Sequence, residues 1–240
     1  MSTWLLHFSR SGAARYMSHL DTARALQRTF ARAGITLALS AGMRPRPRLS
    51  VVLPLPVGAA AVDELAVVET VADAAARPVT ALLRDLEATA VAGLQIEDLE
   101  EADGRPHLRP VAATYACRVR GPAAALTEAA EWVAGQDELV VERRSPKGRR
   151  TIDLAASLDA LSAEAASDGA TLTFTVRYGE TGTARVDEVV GAVAARAGVE
   201  AVAHDVVRTA VKFAGSPAGE ARRYERARPS GRGEKGVDAK

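Results

Sequence analysis

The order of the predicted strands and helices limits the possible folds of this chain more than any single motif does. Stretches of alternating apolar residues are typical of strands, and stretches with apolar residues three and four positions apart are typical of helices. Before residue 104 they succeed one another as strand, helix, strands, helix, strand, and the same order returns from about Thr114. Each half approximates a β-α-β-β-α-β unit. We therefore expect an α+β protein of two tandem ferredoxin-like domains, with additional segments after the second strand of each.

The predicted domains cover residues 1–104 and 113–214, and the segment GRPHLRPVAA joins them. A chain of 240 residues suits two domains, since one domain takes roughly 100–200 residues. The last segment, residues 215–240, is poor in apolar residues and rich in Gly, Pro, Ser and charge. Such a composition cannot bury a core, so we expect a disordered basic tail.

A helix is predicted after the first strand, TWLLHFSRSG, which ends near Gly12 or resumes through ARYM. Ser18 and Asp21 resemble a capping box at the helix start, and Gly34 is typical of a helix end. The side of the helix predicted to face the core carries Leu20, Ala23, Leu26 and Phe30. Beyond this helix, ITLALS predicts a second strand and AGMRPRPR an irregular basic loop, because prolines interrupt strand pairing.

The first fifty residues carry a strong positive charge, since eight arginines are balanced only by Asp21. Arg24, Arg28 and Arg32 recur every four residues, so their guanidinium groups form a stripe that suits phosphates spaced along a backbone. The nearby loop adds Arg44, Arg46 and Arg48. These arginines are candidate nucleic-acid contacts, although an ordinary solvated face shows the same pattern.

A second basic segment, ERRSPKGRR at residues 142–150, places five positive charges around a glycine-containing turn. A protruding basic hairpin suits contact with a phosphate backbone. The candidate contacts in this segment are Arg143, Arg144, Lys147, Arg149 and Arg150. The segment lacks the glycine spacing of a phosphate-binding loop, so we do not expect nucleotide hydrolysis.

His19 is a weak candidate for a catalytic residue. It lies near the start of the predicted helix without a predicted carboxylate, nucleophile or metal partner, which favours a packed structural role. Cys117 is the single cysteine, and the chain contains no HExxH or GxSxG pattern. We therefore expect no metal or cofactor on this chain, and the sequence favours a protein that is not an enzyme on its own.

The sequence also bears on the compartment. No run approaches the roughly 20 apolar residues that cross a bilayer, and the segment MSTWLLHFSRSG lacks the basic and apolar regions of a signal peptide. We expect a cytoplasmic protein without a membrane partner.

Short motifs spread along the chain resemble a known family. The early motifs are RYMSHLD at residues 15–21, Arg24, ARAG at 31–34, Ser40, Gly42, Pro45, Pro47 and PLPVG at 54–58. The later motifs are Glu64, Gly93-Leu94, Tyr115, Lys147-Gly148 with Asp153, and RTA at 208–210. Together they resemble the bacterial radical-SAM-linked, or radical-SAM-associated, protein family, a domain of unknown function. The resemblance covers nearly the whole chain up to the tail. The sequence departs from the family pattern at Met43, where an aromatic residue is common, and at Arg10, where a lysine is common.

The resemblance implies an accessory role. The family's members are encoded beside a B12-binding-type radical SAM enzyme or extend that enzyme, often near genes for ribonuclease E/G and large-subunit ribosomal proteins. A radical SAM enzyme is thus the expected partner, and that partner would hold the iron–sulfur cluster, S-adenosylmethionine and, in B12-binding members, cobalamin. We expect a substrate-presenting protein for modification of RNA or of a ribosomal component. The family offers no catalytic residues to transfer.

Two alternatives stay open. A stand-alone RNA-processing endoribonuclease would use His19, because tandem ferredoxin-like folds elsewhere host such enzymes. A protein-assembly scaffold would instead use the acidic segment at residues 97–103 to dock a basic partner.

Overall fold

The first half of the chain folds as one ferredoxin-like unit in a computed structural model that describes residues 1–71, 76–145, 148–179 and 182–214. Its elements are β1 (Ser2–Arg10), a 3₁₀ helix (Gly12–Tyr16), α1 (His19–Arg32), β2 (Leu49–Val51), β3 (Ala60–Thr70), α2 (Val79–Thr89) and β4 (Leu94–Ala102). The strands lie in the order β4-β1-β3-β2, and all neighbours are antiparallel. The predicted tail, residues 215–240, lies outside the described residues.

The second half repeats this arrangement. Its elements are β5 (Arg109–Arg120), α3 (Ala123–Ala134), β6 (Val140–Ser145), β7 (Gly148–Asp153), β8 (Leu158–Ala166), β9 (Gly169–Arg177), α4 (Val186–Ala197) and β10 (Ala203–Ala214). The order is β10-β5-β9-β8, again antiparallel, and β6 and β7 form a separate two-stranded hairpin between α3 and β8. The α+β fold of two tandem ferredoxin-like units is therefore confirmed.

The two units share one eight-stranded sheet. The last strand, β10, runs parallel to β3, with Val207 opposite Ala60 and Arg208 opposite Ala61. At this seam Arg208 is 1% exposed and Glu64 is 4% exposed. The Nε and Nη2 atoms of Arg208 donate to Oε1 of Glu64 at 2.9 and 2.7 Å. A buried ion pair thus joins the first unit to the second.

Each unit has its own apolar core. In the first, Trp4, Leu6 and Phe8 of β1 pack with side chains of α1 and α2. The second core includes Phe174, Leu126 and Val189, which come from β9, α3 and α4. Leu55, Ala59 and Ala61 of the first unit also belong to this second core. The segment between β2 and β3 therefore packs across the junction.

The predicted end of the first strand near Gly12 is confirmed, since β1 ends at Arg10 and the chain then forms a 3₁₀ helix and does not resume as a strand. Two local predictions in the first unit were wrong. ITLALS forms only isolated bridges, Leu37 with Thr70 and Leu39 with Pro47. Leu20 is 64% exposed because it is rotated by about 120° around the helix from buried Leu26. The start of α1 is confirmed, since the Ser18 hydroxyl accepts a hydrogen bond from the Asp21 backbone N–H.

Breaking the seam ion pair should destabilise the whole sheet. Arg208→Met leaves Glu64 as a buried carboxylate without its partner, and the expected loss in the free energy of unfolding is about 3–5 kcal/mol. The double variant Glu64→Gln/Arg208→Met should recover part of this loss. Chemical denaturation measures both values.

An exposed ion pair provides the matched control. Arg177 lies 3.5 Å from Asp159, and both side chains are about half exposed, so Arg177→Met should cost less than about 1 kcal/mol. Equal losses for the two single variants would contradict the proposed importance of the seam.

His7 predicts a pH dependence of stability. Its Nδ1 lies 2.9 Å from Oδ1 of Asp63. Burial opposes the charged imidazole, but the hydrogen bond to Asp63 and the charges of Asp63, Glu100 and Asp98 outweigh it, so the pKa of His7 is raised above its ordinary value. The charged pair therefore stabilises the folded state fully below about pH 6.5, and this contribution is lost as pH rises through the folded-state pKa.

Denaturation midpoints measured from pH 6 to 9 test this expectation. The wild-type midpoint should fall over this range, and His7→Asn should remove that part of the fall. His107→Asn, at an exposed loop position, should retain it. Parallel curves for wild type and His7→Asn would count against the assignment.

Candidate functional site

A cleft of about 1100 Å³ lies between the two units. The first unit contributes the 3₁₀ helix and the loop at residues 53–59, which we call the proline loop. The second unit contributes parts of β5, β10, the hairpin and the start of α4. This volume exceeds the roughly 300–1000 Å³ of typical small-molecule pockets. The cleft can therefore hold an extended ligand.

Two buried arginines hold the proline loop from beneath. Arg10 is 2% exposed, and its Nη2 donates to the carbonyls of Pro56 and Ala59 at 3.1 and 3.2 Å. Arg208 donates to the carbonyls of Leu53 and Pro54 at 2.8 and 3.2 Å. Guanidinium groups suit this role because they supply several donors in one plane. The loop wall thus depends on side chains rather than on strand pairing.

Arg10 also fixes the chain on the other side of the cleft wall. Its Nη1 donates to Oγ1 of Thr22 at 3.1 Å and to the carbonyl of Met17 at 3.3 Å. Burial lowers the pKa of Arg10, as does nearby Arg208, while Glu64 raises it. Two buried guanidinium groups thus share one carboxylate, and this cluster carries a net positive charge behind the proline loop.

Arg15 connects the 3₁₀ helix to the proline loop. Its Nε donates to the carbonyl of Gly58 at 2.7 Å, and the Gly58 N–H donates to the Arg15 carbonyl at 2.7 Å. Gly58 has φ of +90°, a conformation that favours glycine. The neighbouring Tyr16 is 68% exposed and lines the cleft.

The described lining of the cleft is basic. It contains six arginines and two aspartates; the arginines are Arg15, Arg118, Arg120, Arg143, Arg150 and Arg185, and the aspartates are Asp187 and Asp205. Arg118 and Arg120 alternate on β5 and so point to the same side of that strand. Arg120 makes one exposed contact, 3.4 Å from Asp168. The summed charge favours an anionic ligand.

Asp205 bridges the two units inside the cleft. Nε of Arg118, on β5, donates to Oδ2 of Asp205 at 3.1 Å, and Nη1 of Arg15 lies 3.6 Å from Oδ1. The hydrogen bond from Arg118 is the main reason that the pKa of Asp205 is lowered. Both arginines therefore share one ionised carboxylate.

Two tyrosines contribute hydroxyl groups to the cleft lining. The hydroxyl oxygens of Tyr115 and Tyr178 lie 3.4 Å apart. Burial is the main cause of the raised pKa of Tyr178, with further contributions from Tyr115. Tyr178 therefore keeps its proton and can donate a hydrogen bond to a ligand.

The basic stripe predicted on α1 is exposed but lies outside the cleft lining. Arg24 lies 3.5 Å from Asp21 on the same helix, and Arg28 and Arg32 are exposed. In the following loop Arg44 and Arg46 are exposed, whereas Arg48 donates to Glu69 at 2.7 Å. The predicted nucleic-acid role of these residues stays a prediction.

The arginines of the hairpin differ in their partners and in their exposure. Arg144 and Arg149 lie 3.1 and 3.4 Å from oxygens of Glu142, and Arg150 lines the cleft. Lys147 lies outside the described residues. Arg143 requires a correction: it is 6% exposed, pairs with both oxygens of Glu188 and donates to the carbonyl of Thr183 at 2.7 Å. It links the hairpin to α4, and its donors are not free for a phosphate.

His19 is half-buried at the start of α1 and does not line the cleft. Among the described residues, no group of three or more His, Cys, Asp and Glu side chains is placed to hold a metal ion.

Sequence reasoning missed most of the arginines and both aspartates that line the cleft, although some of them left a signal. Arg10, which lies behind the proline loop and not in the lining, continues the alternation of the buried residues of β1, and this marks it as a buried charge. Arg118 and Arg120 alternate with buried Cys117 and Val119 on β5, which marks them as a pair on the exposed face of that strand. Asp205 left no such signal, because its position depends on an irregularity in β10.

No described helix has the length and apolar character needed to cross a membrane.

Comparisons with known proteins place the chain in a family. No curated protein sequence matches it. A chain in a crystal structure of a Cbf5-Nop10-Gar1 complex is similar with a TM-score of 0.49 and 11% identity, over 87% of this chain and 48% of that chain. The present chain thus spans about half the length of that one. A model of the family described as "Uncharacterized protein conserved in bacteria (DUF2344)" matches residues 4–186. The protein therefore belongs to the DUF2344 family of uncharacterized bacterial proteins.

Proposed function

We propose that this protein is an RNA-binding module that holds a segment of RNA in the cleft and presents it to a partner enzyme. The observation that carries the proposal is the convergence of arginines from both units on one cleft in which the described carboxylates are outnumbered. Arginine suits this role because its planar donor group matches the oxygens of a phosphate.

Several of these arginines are free to bind a ligand. Among the described residues, neither Arg150 nor Arg185 makes a salt bridge, and both are exposed. Arg120 has a side chain that is 70% exposed, and an exposed pair such as the one it makes with Asp168 contributes little. Phosphate groups can therefore displace water and weak partners at three positions around the cleft.

Single-stranded RNA fits the cleft better than a duplex does. The exposed ring of Tyr16 at the cleft provides a surface on which an unpaired base can stack. RNA in particular is proposed because the family resemblance implies ribosome-related neighbours.

Removing the three exposed positive charges of Arg120, Arg150 and Arg185 should weaken RNA binding. The variant Arg120/Arg150/Arg185→Gln is expected to bind a labelled uridine octanucleotide at least about tenfold more weakly at 0.1 M salt, as three phosphate contacts are lost. The slope of log affinity against log salt should become shallower by about 2. Fluorescence anisotropy over a salt series measures both quantities.

The α1 stripe supplies a control of equal charge. Arg24/Arg28/Arg32→Gln also removes three positive charges from exposed positions but leaves the cleft unchanged. If this variant loses binding while the cleft variant keeps it, the RNA site lies on α1 and the cleft proposal is wrong.

We further propose that the partner is a radical SAM enzyme that modifies the presented RNA. The resemblance of residues 15–21 and 54–58 to the radical-SAM-linked family supports this partner. Two of these motif residues, Arg15 and Gly58, bind one another at the cleft. The endoribonuclease alternative depends on His19, and no described observation favours it.

A deletion strain of the native bacterium tests this partnership. Affinity purification of the tagged protein should enrich a radical SAM enzyme, and the deletion should remove a modified nucleoside from total RNA as measured by mass spectrometry. The wild-type gene and the α1 variant should restore that nucleoside, while the cleft variant should not. Unchanged nucleosides, together with purifications that recover no radical SAM enzyme, would reject the partnership.

A further inference from the structure

Asp205 adopts an unusual backbone conformation at a functional position. Among the described residues it is the one non-glycine residue with a positive φ, +48°. It lies in an irregularity of β10 between His204 and Val207, immediately before the parallel seam with β3. Aspartate tolerates this left-handed conformation better than most residues, but the conformation still has an energetic cost. The local backbone is therefore held in place by the surrounding fold.

The ion pairs of Asp205 stabilise the fold too little to offset the energetic cost of its backbone conformation. Its side chain is 53% exposed, and those of Arg15 and Arg118 are 23% and 49% exposed. Ion pairs in contact with water contribute little to stability. The buried pair of Arg208 and Glu64 already joins the same two units at the seam. A second, exposed link adds little to the assembly of the sheet.

The same geometry is well suited to binding an anion. Arg15 comes from the first unit and Arg118 from the second, and both direct donors at one carboxylate. A carboxylate and a phosphodiester each offer two charged oxygens to such donors. Asp205 thus stands where a phosphate group would make the same contacts.

We propose that Arg15 and Arg118 form the central phosphate-binding site of the cleft and that Asp205 occupies it until a phosphate group displaces the carboxylate. The proposal rests on the proposed function for the identity of the ligand, which is a phosphate of an RNA chain. Asp205 keeps the two guanidinium groups oriented and competes with weakly bound anions. Only a ligand that also binds the outer arginines displaces it efficiently.

Isothermal titration with inorganic pyrophosphate tests the site, and anisotropy with the uridine octanucleotide tests its use by RNA, on the full chain in both cases. Asp205→Asn removes the competing charge and retains a residue that tolerates a positive φ. It is expected to bind both probes about tenfold more tightly than wild type. Asp187→Asn removes an equal charge from the same cleft without releasing Arg15 or Arg118, and it should tighten binding less than threefold. Thermal melting confirms that each variant is folded.

A second substitution tests whether the gain passes through Arg118. In Asp205→Asn/Arg118→Gln the tighter binding should disappear, since the released donor is absent. The proposal is overturned if Asp205→Asn binds pyrophosphate no more tightly than Asp187→Asn does, because Asp205 then acts as an ordinary link between the units. If Asp205→Asn gains affinity for pyrophosphate while no variant binds the octanucleotide, the anion site stands and the RNA role fails.

Discussion

The ion pair between Arg208 and Glu64 is the interaction on which the rest of the structure depends. The two residues are 144 positions apart in sequence, and the parallel contact that they accompany is limited to two residue pairs. So short a ladder does little by itself to orient two domains. Apolar side chains of the first unit also pack across the junction, and the buried pair makes that packing specific, since a charge without its partner in this position would be strongly destabilising.

The cleft follows from how the chain satisfies polar groups near that pair. Pro54 and Pro56 cannot donate backbone hydrogen bonds, so the proline loop offers carbonyls that need donors from elsewhere. Arg10 and Arg208 provide them from buried positions. The loop is thereby held as a wall, and the positive charge of the two arginines lies behind it. Arg10 and Arg208 therefore both hold the loop in place and add positive charge near the cleft, and each effect favours binding of an anionic ligand.

The sequence predicted the order of strands and helices well, because alternation and helical spacing are local properties of the chain. The strand of TWLLHFSR and the helix begun by Ser18 show this. The strand predicted for ITLALS does not form, because this segment makes only isolated bridges and no continuous ladder. The site was harder to predict. Its arginines come from the 3₁₀ helix, β5, the hairpin and the start of α4, and their proximity depends on long-range pairing. Similar residues also differ in availability: Arg143 and Arg150 of the same hairpin both line the cleft, but Arg143 is buried and paired with Glu188, whereas Arg150 is exposed.

The position of β10 at the seam has a consequence for synthesis on the ribosome. Glu64 leaves the exit tunnel long before Arg208 exists, and at about 5–20 residues per second the interval is roughly 7–30 s. During that time Glu64 lacks its guanidinium partner, and the proline loop lacks one of its two supports. The cleft therefore assembles only after β10 has been synthesised. A chain that stops before β10 lacks both Asp205 and Arg208, so it has no competent site.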